Sequence, residues 1–419
     1  MSAVERLSVG ATRLGASSTQ TKESPLSATE VVILAGSRTP QGKVNGQLSS
    51  LTAVQLGAAA ISGALARAGV SPDQVDFVLM GQVLQAGCGQ NPARQSSIAA
   101  GIPWNVPAMT VNKVCLSGLA AIIDAARLVR LGEASVVVAG GQESMSRAPH
   151  LLPGSRQGWA FGSVTMLDHA AHDGLTDAFD GLSMGLSTER TNEKLAIDRL
   201  MQDEVSAASH QRAAAAAEAG LFDDEITPLS VPQRRGEPVL VTVDEGVRAA
   251  STTETLGKLR PAFAAEGTIT AGNSSPLSDG ASAVVVCSRE FAEANGLEWL
   301  AVIEASGQVA GPDNSLHSQP ANAIQSALDK QGWRAADLDL IEINEAFAAV
   351  TVQSSKDLGV SSDVVNIHGG AIAIGHPVGS SGGRLALHAA LELSRRGTGK
   401  AAVALCGGGG QGEALLLSR

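Results

Sequence analysis

The chain has 419 residues and no tyrosine, and aromatic residues of all kinds make up only 3% of it. With a net charge of -11 and no block of Lys or Arg, it offers neither stacking platforms nor an electrostatic footprint for nucleic acid. Cysteine is also sparse. The four residues are distant and irregularly spaced, and they form neither a CxxC metal pattern nor a disulfide framework. Free thiols in a reducing compartment are the expectation. No apolar run reaches the roughly 20 residues that a bilayer-spanning helix requires, so no membrane partner is expected. Residues 1–28 are rich in Ser, Thr, Ala and Gly, carry Arg6 and Arg13 beside Glu5 and Glu23, and lack an apolar signal core. They are expected to be a disordered extension of a cytoplasmic protein, with a mitochondrial presequence as the alternative.

What is present is 44% hydrophobic residues, 17% charged residues and 47 glycines, the profile of an α/β enzyme. Buried strands are expected at Val31–Ala35, Asp76–Val83, Ala108–Val111 and Val136–Ala139, the last stopped by Gly140-Gly141. Helices are expected over Ala53–Ala68, Ala93–Ala100 and Leu116–Leu131, with Gly69 and Gly132 as stops. This alternation predicts parallel sheet covered on both faces. The pattern also recurs. Asp76–Gly81 has a counterpart in Asp339–Asn344, and the strand, turn, helix and strand around Cys115 are echoed from Val364 to Gly407. The offset of roughly 265 residues is that of a duplicated domain rather than a solenoid repeat. The expected organisation is an N-terminal half of residues 29–146 plus 277–298, an inserted domain at 147–276 and a C-terminal half at 299–419.

Two cysteines stand in chemically suggestive places. Cys115, in Asn112-Lys113-Val114-Cys115-Leu116-Ser117-Gly118, is expected at the first turn of its helix. Free N–H groups there lower a thiol's pKa and can hold an oxyanion. Simple core packing is the alternative. Cys406 closes an apolar run and opens the glycines 407–410, where it can act as general acid or base; no Gly-Lys-Ser/Thr follows, so a phosphate loop is disfavoured. His376 lies among glycines and can take a thiol proton, or simply satisfy a turn. Asn344 can donate to an oxyanion or cap a helix. His169 and His172, with Asp168 and Asp173, have helical spacing, but no further ligands converge, so a solvated or inter-subunit surface is preferred to a metal site.

Taken in order, Asn-x-x-Cys-x-Ser-Gly at Cys115, Asn-Glu-Ala-Phe at Asn344, Gly-Gly-Ala-Ile-Ala-Ile-Gly-His-Pro-x-Gly around His376 and Cys-Gly-Gly-Gly-Gly-Gln-Gly at Cys406 resemble the thiolase family from Val31 to the C-terminus. The resemblance implies a thiolase-like α/β fold, with two duplicated βαβαβαββ halves in α-β-α-β-α layers and an inserted loop domain. It implies Cys115 as acylated nucleophile, His376 as its base and Cys406 as the group exchanging the substrate's α-proton. Asn344, through a water, and His376 would form one oxyanion hole, and the N–H groups of Cys115 and Gly408 the other. Arg248 would sit near the adenine and phosphate end of coenzyme A, Ser275 near its pantetheine, Met184 and Phe347 along the acyl pocket, and Ala271 among the coenzyme A contacts. Coenzyme A thioesters would be substrates, with no permanently bound cofactor and no metal, and the stretch 146–174 would make a homotetramer.

The activity so implied is acetyl-CoA C-acetyltransferase, the reversible Claisen condensation of two acetyl-CoA. Rivals are a broader 3-ketoacyl-CoA thiolase of fatty-acid breakdown and, from another class, a thiolase-like lipid-binding protein without turnover. Two departures from the family pattern stand out. Ser183 replaces a common His before Met184-Gly185, removing a polar pantetheine contact, and His368 stands where Asn is common.

Overall fold

The computed structural model describes residues 29–419; the expected N-terminal extension lies outside the described residues. The described residues form one ten-stranded mixed sheet with helices on both faces. Its first half contributes β1 (Val31–Arg38), β2 (Phe77–Gly81), β3 (Ala108–Val111), β4 (Val136–Ser144) and β5 (Ser278–Ser288), and the second half β6 (Ala301–Ala310), β7 (Leu340–Ile343), β8 (Lys400–Gly407) and β9 (Gln411–Ser418). The two-residue arm Gly42–Lys43 pairs with β5 as the tenth strand.

The order across the sheet is β7-β8-β9-β6-β1-β5-β4-β2-β3. Read outward from the centre, each half repeats one sequence of pairings: antiparallel, antiparallel, then parallel. Even the missing strand has a trace, because Val365 bridges in parallel to Ile341 where β3 runs beside β2. The registers agree to the residue. Asp76 N–H donates to Val136 O (2.9 Å), and Asp339 N–H donates to Lys400 O (2.8 Å). The halves join through a short antiparallel contact of Val31–Ile33 with Ala301–Ile303. The sheet is therefore mixed rather than parallel. The last strand of each half returns through a connection that permits antiparallel pairing, which alternation of strand and helix alone cannot signal.

Layering follows from the two-residue period of the strands. Val31 and Ile33 face a central core with α3 (Ser117–Arg130) and α8 (Ser381–Arg396), whereas Val32 and Leu34 face an outer core with α1 (Ala53–Ala68). In the second half, Val403 and Leu405 face the same central core, and Ala402, Ala404 and Cys406 face α6 (Gln319–Gln331) and α7 (Ala348–Leu358). The layers are thus helix, sheet, helix, sheet, helix. Local signals set helix ends: Thr52 and Gln55 form a capping box, and Gly69 closes α1 at φ 64°.

The glycine pair in β4 does not stop the strand, which continues to Ser144. A Cβ on Gly141 would lie 1.9 Å from Gly379 O, so glycine is required by the loop that leads into α8. Gly382 has the same reason, since a Cβ there would meet Leu119 N at 2.3 Å where α8 crosses α3. Residues between Ser144 and Ser278 carry α4 (Met184–Leu195), α5 (Arg199–Glu218) and two small two-stranded sheets. A buried ionic cluster ties this region to both halves. Arg38 of β1 meets Glu225 at 2.8 Å and Asp244 at 2.7 Å, and His388 of α8 meets Glu225 at 2.9 Å. Burial opposes the charge on Arg38, but the two carboxylates hold its pKa above the ordinary value.

Candidate active site

Cys115 lies two residues before α3 rather than within its first turn. The loop is an elbow, with Val114 at φ 52°, a conformation that a β-branched residue adopts only when braced. The motif residues supply the braces. Asn112 Oδ1 accepts from Val114 N–H (3.1 Å). Ser117 Oγ accepts from Lys113 N–H (2.8 Å) and donates to Val114 O (2.6 Å). The elbow turns the Cys115 thiol toward an apolar cavity of about 300 Å³ that His376, Cys406 and Gly408 also line.

Desolvation dominates the thiol's acidity. Burial pushes its pKa up to about 11, although the N–H groups of Cys115 and Gly408 lie against the sulfur and oppose that rise. This reverses the expectation from the helix terminus: desolvation outweighs the few N–H dipoles. Burial, and then the neighbouring Cys115, also raise Cys406 above the ordinary thiol range. Cys406 is 1% exposed at the end of β8.

His376 is held the other way. Burial, reinforced by the charge of Arg384, lowers its pKa to about 4, so the ring is neutral. Ser381 Oγ lies 2.6 Å from its Nδ1 and 3.2 Å from Pro377 O. With the hydroxyl proton directed to Pro377 O, Ser381 accepts from Nδ1–H, which leaves Nε2 as a free base. Asn344 Nδ2 lies 3.3 Å from that Nε2. Asn344 Oδ1 is buried without a protein partner, an acceptor suited to a bound water. Ser278 Oγ accepts from the His376 N–H (3.0 Å).

Met184, Phe347, Ser275 and Ser183 line the same cavity. The Ser183 hydroxyl caps α4 by accepting from Leu186 N–H (3.3 Å). Arg248 and Ala271 do not line it; both are exposed, and the Arg248 backbone N–H donates to His210 Nδ1 (3.3 Å). His169 is not at a solvated surface. It is 5% exposed, with Nδ1 at 2.6 Å from Asp173 and Nε2 accepting from Ala86 N–H (3.3 Å), while His172 faces outward. Its i, i+4 spacing to Asp173 reflects a clasp between two loops.

Residues beyond the motif reading also shape the site. Ser381 fixes the imidazole, and Glu143, at the end of β4, accepts from Val83 N–H (2.9 Å), Leu84 N–H (3.1 Å) and Gly379 N–H (3.1 Å). Burial pushes Glu143 up to about 7 despite these three donors. Its signal in the sequence was a lone carboxylate two residues beyond a buried strand's glycine pair.

Two family models match: thiolase, N-terminal domain, over residues 31–290 and thiolase, C-terminal domain, over residues 297–419. A probable acetyl-CoA acetyltransferase of Mycolicibacterium smegmatis is 57% identical, covering 93% of this chain and 100% of its own. An acetyl-CoA acetyltransferase of Pseudomonas aeruginosa is 50% identical over 93% of this chain and 99% of its own. Among solved structures, the Bacillus anthracis acetyl-CoA acetyltransferase superposes with a TM-score of 0.90 at 38% identity, covering 93% of this chain and 99% of that one.

Proposed function

Because the chain belongs to the thiolase family, we propose that it is an acetyl-CoA C-acetyltransferase, working through an acyl-enzyme on Cys115. The observation that carries this reading is the meeting of Cys115, His376, Cys406 and the Gly408 backbone on one apolar cavity, with Ser381 Oγ held 2.6 Å from the His376 Nδ1. His376 takes the Cys115 proton as the sulfur attacks the thioester. The developing oxyanion is held by the N–H groups of Cys115 and Gly408, whose position against the sulfur supports that role. Coenzyme A leaves as a thiolate and takes a proton from Cys406. The Cys406 thiolate then removes an α-proton from a second acetyl-CoA, whose enolate oxygen faces His376 and a water on Asn344. Attack of that carbanion on acetyl-Cys115 forms the new C–C bond, breaks the C–S bond and expels the Cys115 thiolate, which takes its proton back from His376. Thiolysis is the reverse path.

Met184 and Phe347 flank the acyl end and Ser275 the pantetheine, while Arg248 and Ala271 belong to the outer part of the coenzyme A track. Coenzyme A thioesters are substrates here, with no resident cofactor. The division into two halves at 29–146 with 277–298 and at 299–419, around an insertion at 147–276, belongs to the same proposal. So does a homotetramer, supported by the exposed Trp159, Phe161 and Met166 in the stretch 146–174. Among the described residues no helix is long and apolar enough to cross a membrane. A cytoplasmic location completes the reading.

Cleavage of acetoacetyl-CoA by added coenzyme A, followed across a series of longer 3-ketoacyl-CoAs, tests it. Turnover should be highest for the four-carbon substrate, and Cys115→Ala should abolish covalent labelling by acetyl-CoA. Faster cleavage of long chains would favour a degradative 3-ketoacyl-CoA thiolase instead, and no cleavage at any length would favour a binding protein.

A further inference from the structure

Glu413 is a carboxylate with no evident reason to be where it is. It lies on β9 in phase with Leu415 and Leu417, so its side chain points into the central layer, and it is fully buried. One oxygen, Oε2, has no partner. The other accepts from Lys113 Nζ (2.9 Å) and from the Gln308 amide on the adjacent strand β6. Gln308 Oε1 in turn accepts from Arg127 Nη2 of α3 (3.3 Å). A fully buried carboxylate with an orphaned oxygen, paired to a half-buried lysine, is a poor way to stabilise a strand that is otherwise apolar.

Its position explains it better than its energy does. Lys113 is two residues before Cys115, at the base of the strained elbow whose N–H faces the sulfur. Glu413 follows the turn that begins with Gly408, the source of the other N–H. Its cross-strand partner is Leu405, next to Cys406, which itself pairs with Gly412. The two N–H groups come from different halves of the chain, and the backbone does not connect them locally. Among the described residues, Lys113 to Glu413 is the side-chain ion pair that spans from the elbow to the hairpin.

We propose that Lys113 and Glu413 are a positioning pair that sets the spacing between the Cys115 and Gly408 N–H groups. The inference rests on the oxyanion-hole role given to those groups above. The pair does not touch substrate. It ties the loop carrying the nucleophile to the hairpin carrying Gly408 and Cys406, and the Arg127 to Gln308 contact links α3, the helix that follows this loop, to the same carboxylate.

The test compares Lys113→Met, Glu413→Gln, their double variant and Lys113→Arg, measuring acetoacetyl-CoA thiolysis and thermal unfolding. Wild-type turnover is measured first, so that failure of the assigned activity is seen separately from failure of the pair. Each neutralising single variant should lower kcat by roughly 10–100-fold, somewhat less than deletion of an oxyanion donor, with KM within about threefold. Lys113→Arg should keep most of kcat. The decisive case is the double variant. Removing both charges relieves the buried uncompensated carboxylate, so the melting temperature should return toward wild type while kcat stays low. Recovery of kcat together with stability would reduce the pair to a structural contact and overturn the proposal. So would single variants with unchanged kcat, or with a raised KM alone. If Glu413→Gln does not fold, Lys113→Met and Lys113→Arg decide the matter from the partly exposed end of the pair.

Discussion

The two halves share a backbone and differ in what their equivalent positions are for. Matching Val136 to Lys400 through the paired Asp76 and Asp339 hydrogen bonds places Gln142 opposite Cys406 in the duplication. Gln142 has a partner at each polar atom: its Nε2 donates to Gln82 Oε1 (2.9 Å) and its Oε1 accepts from Ser96 Oγ (2.6 Å). The next residue, Glu143, accepts three backbone N–H groups. By the same matching Gly81 answers to Asn344, and a Cβ on Gly81 would lie 2.6 Å from Gly379 O, in the loop that delivers His376. Where the second half leaves Asn344 Oδ1 unpartnered and Cys406 facing a cavity, the first half packs and hydrogen-bonds. The first half contributes one reactive turn and a floor; the second contributes the other groups. The two halves repeat one scaffold, and in the proposed reaction the chemistry falls mainly to one of them.

The sharpest way to break this contrast is a pair of substitutions at the matched positions. Cys406→Ser should lower thiolysis kcat by about 10²–10⁴-fold, the scale of a lost acid–base group, with little change in melting temperature. Gln142→Ala should do the reverse. Leaving Gln82 and Ser96 without their buried partner should cost about 1–3 kcal/mol in chemical denaturation, with kcat nearly unchanged per folded molecule. A large loss of kcat in Gln142→Ala at full stability would mean that the first half is more than a floor.

Next in size is the contact between the halves. Gly141→Ala would place a methyl group against backbone that has no side chain to move, since Gly379 is itself glycine. The expected cost is about 3 kcal/mol, read as a lowered denaturation midpoint, together with reduced alkylation protection of Cys115. A variant with wild-type stability would show that the His376 loop is freer than this packing implies.

The pH dependence separates the two kinds of group by sign. Burial lowers His376 from 6.5 to about 4, so its base form persists well below the pH at which a free imidazole is protonated. The acid limb of kcat/KM should therefore fall near pH 4 rather than near 6.5. A limb at the free-imidazole value would mean that the ring is solvated in the working enzyme. Stability should follow the same direction. A histidine with a depressed folded pKa leaves the unfolded chain binding more protons below 6.5, so stability is lost as pH falls from there toward 4.

Much of this was legible in the sequence, for specific reasons. The helix ends at Gly69, the strand at Ala108–Val111 and the repeat of Asp76–Gly81 in Asp339–Asn344 carry local signals. The meeting of Cys115, His376 and Cys406 was legible only through the family motifs, because no periodicity links residues almost 300 apart in the chain. Gly140-Gly141 misled because a glycine pair usually ends a strand, whereas here it admits another backbone. The direction of the Cys115 shift was hidden for a different reason. Burial is a property of the assembled cavity, and the helix-terminus argument saw only the local dipoles. Glu413 meets a partner 300 residues away in the chain, so its neighbours in sequence gave no cue, and Ser381 reaches His376 only through the turn at Pro377.

The smallest expected effect falls on His368, an exception inside the second half. It stands in the segment leading to His376, yet it holds rather than reacts. Its Nδ1 lies 3.0 Å from His388 Nε2, and His388 Nδ1 lies 2.9 Å from Glu225, so it ends the ionic cluster that joins both halves to the region between them. It does not line the catalytic cavity. Burial and then the neighbouring His388 lower its pKa to about 4, against a rise from Glu392 and Glu225, with Arg395 adding to the lowering. His368→Asn should therefore leave kcat and KM within about twofold, because no reacting atom loses a contact. What should change is the shape of stability against pH. One fewer group takes up a proton preferentially in the unfolded chain, so the decline between pH 6.5 and 4 should become shallower, while stability at pH 8 shifts only slightly. Denaturation midpoints measured at several pH values decide it. An unchanged slope, or a drop in kcat, would move His368 from the holding groups to the reacting ones and blur the division between the halves.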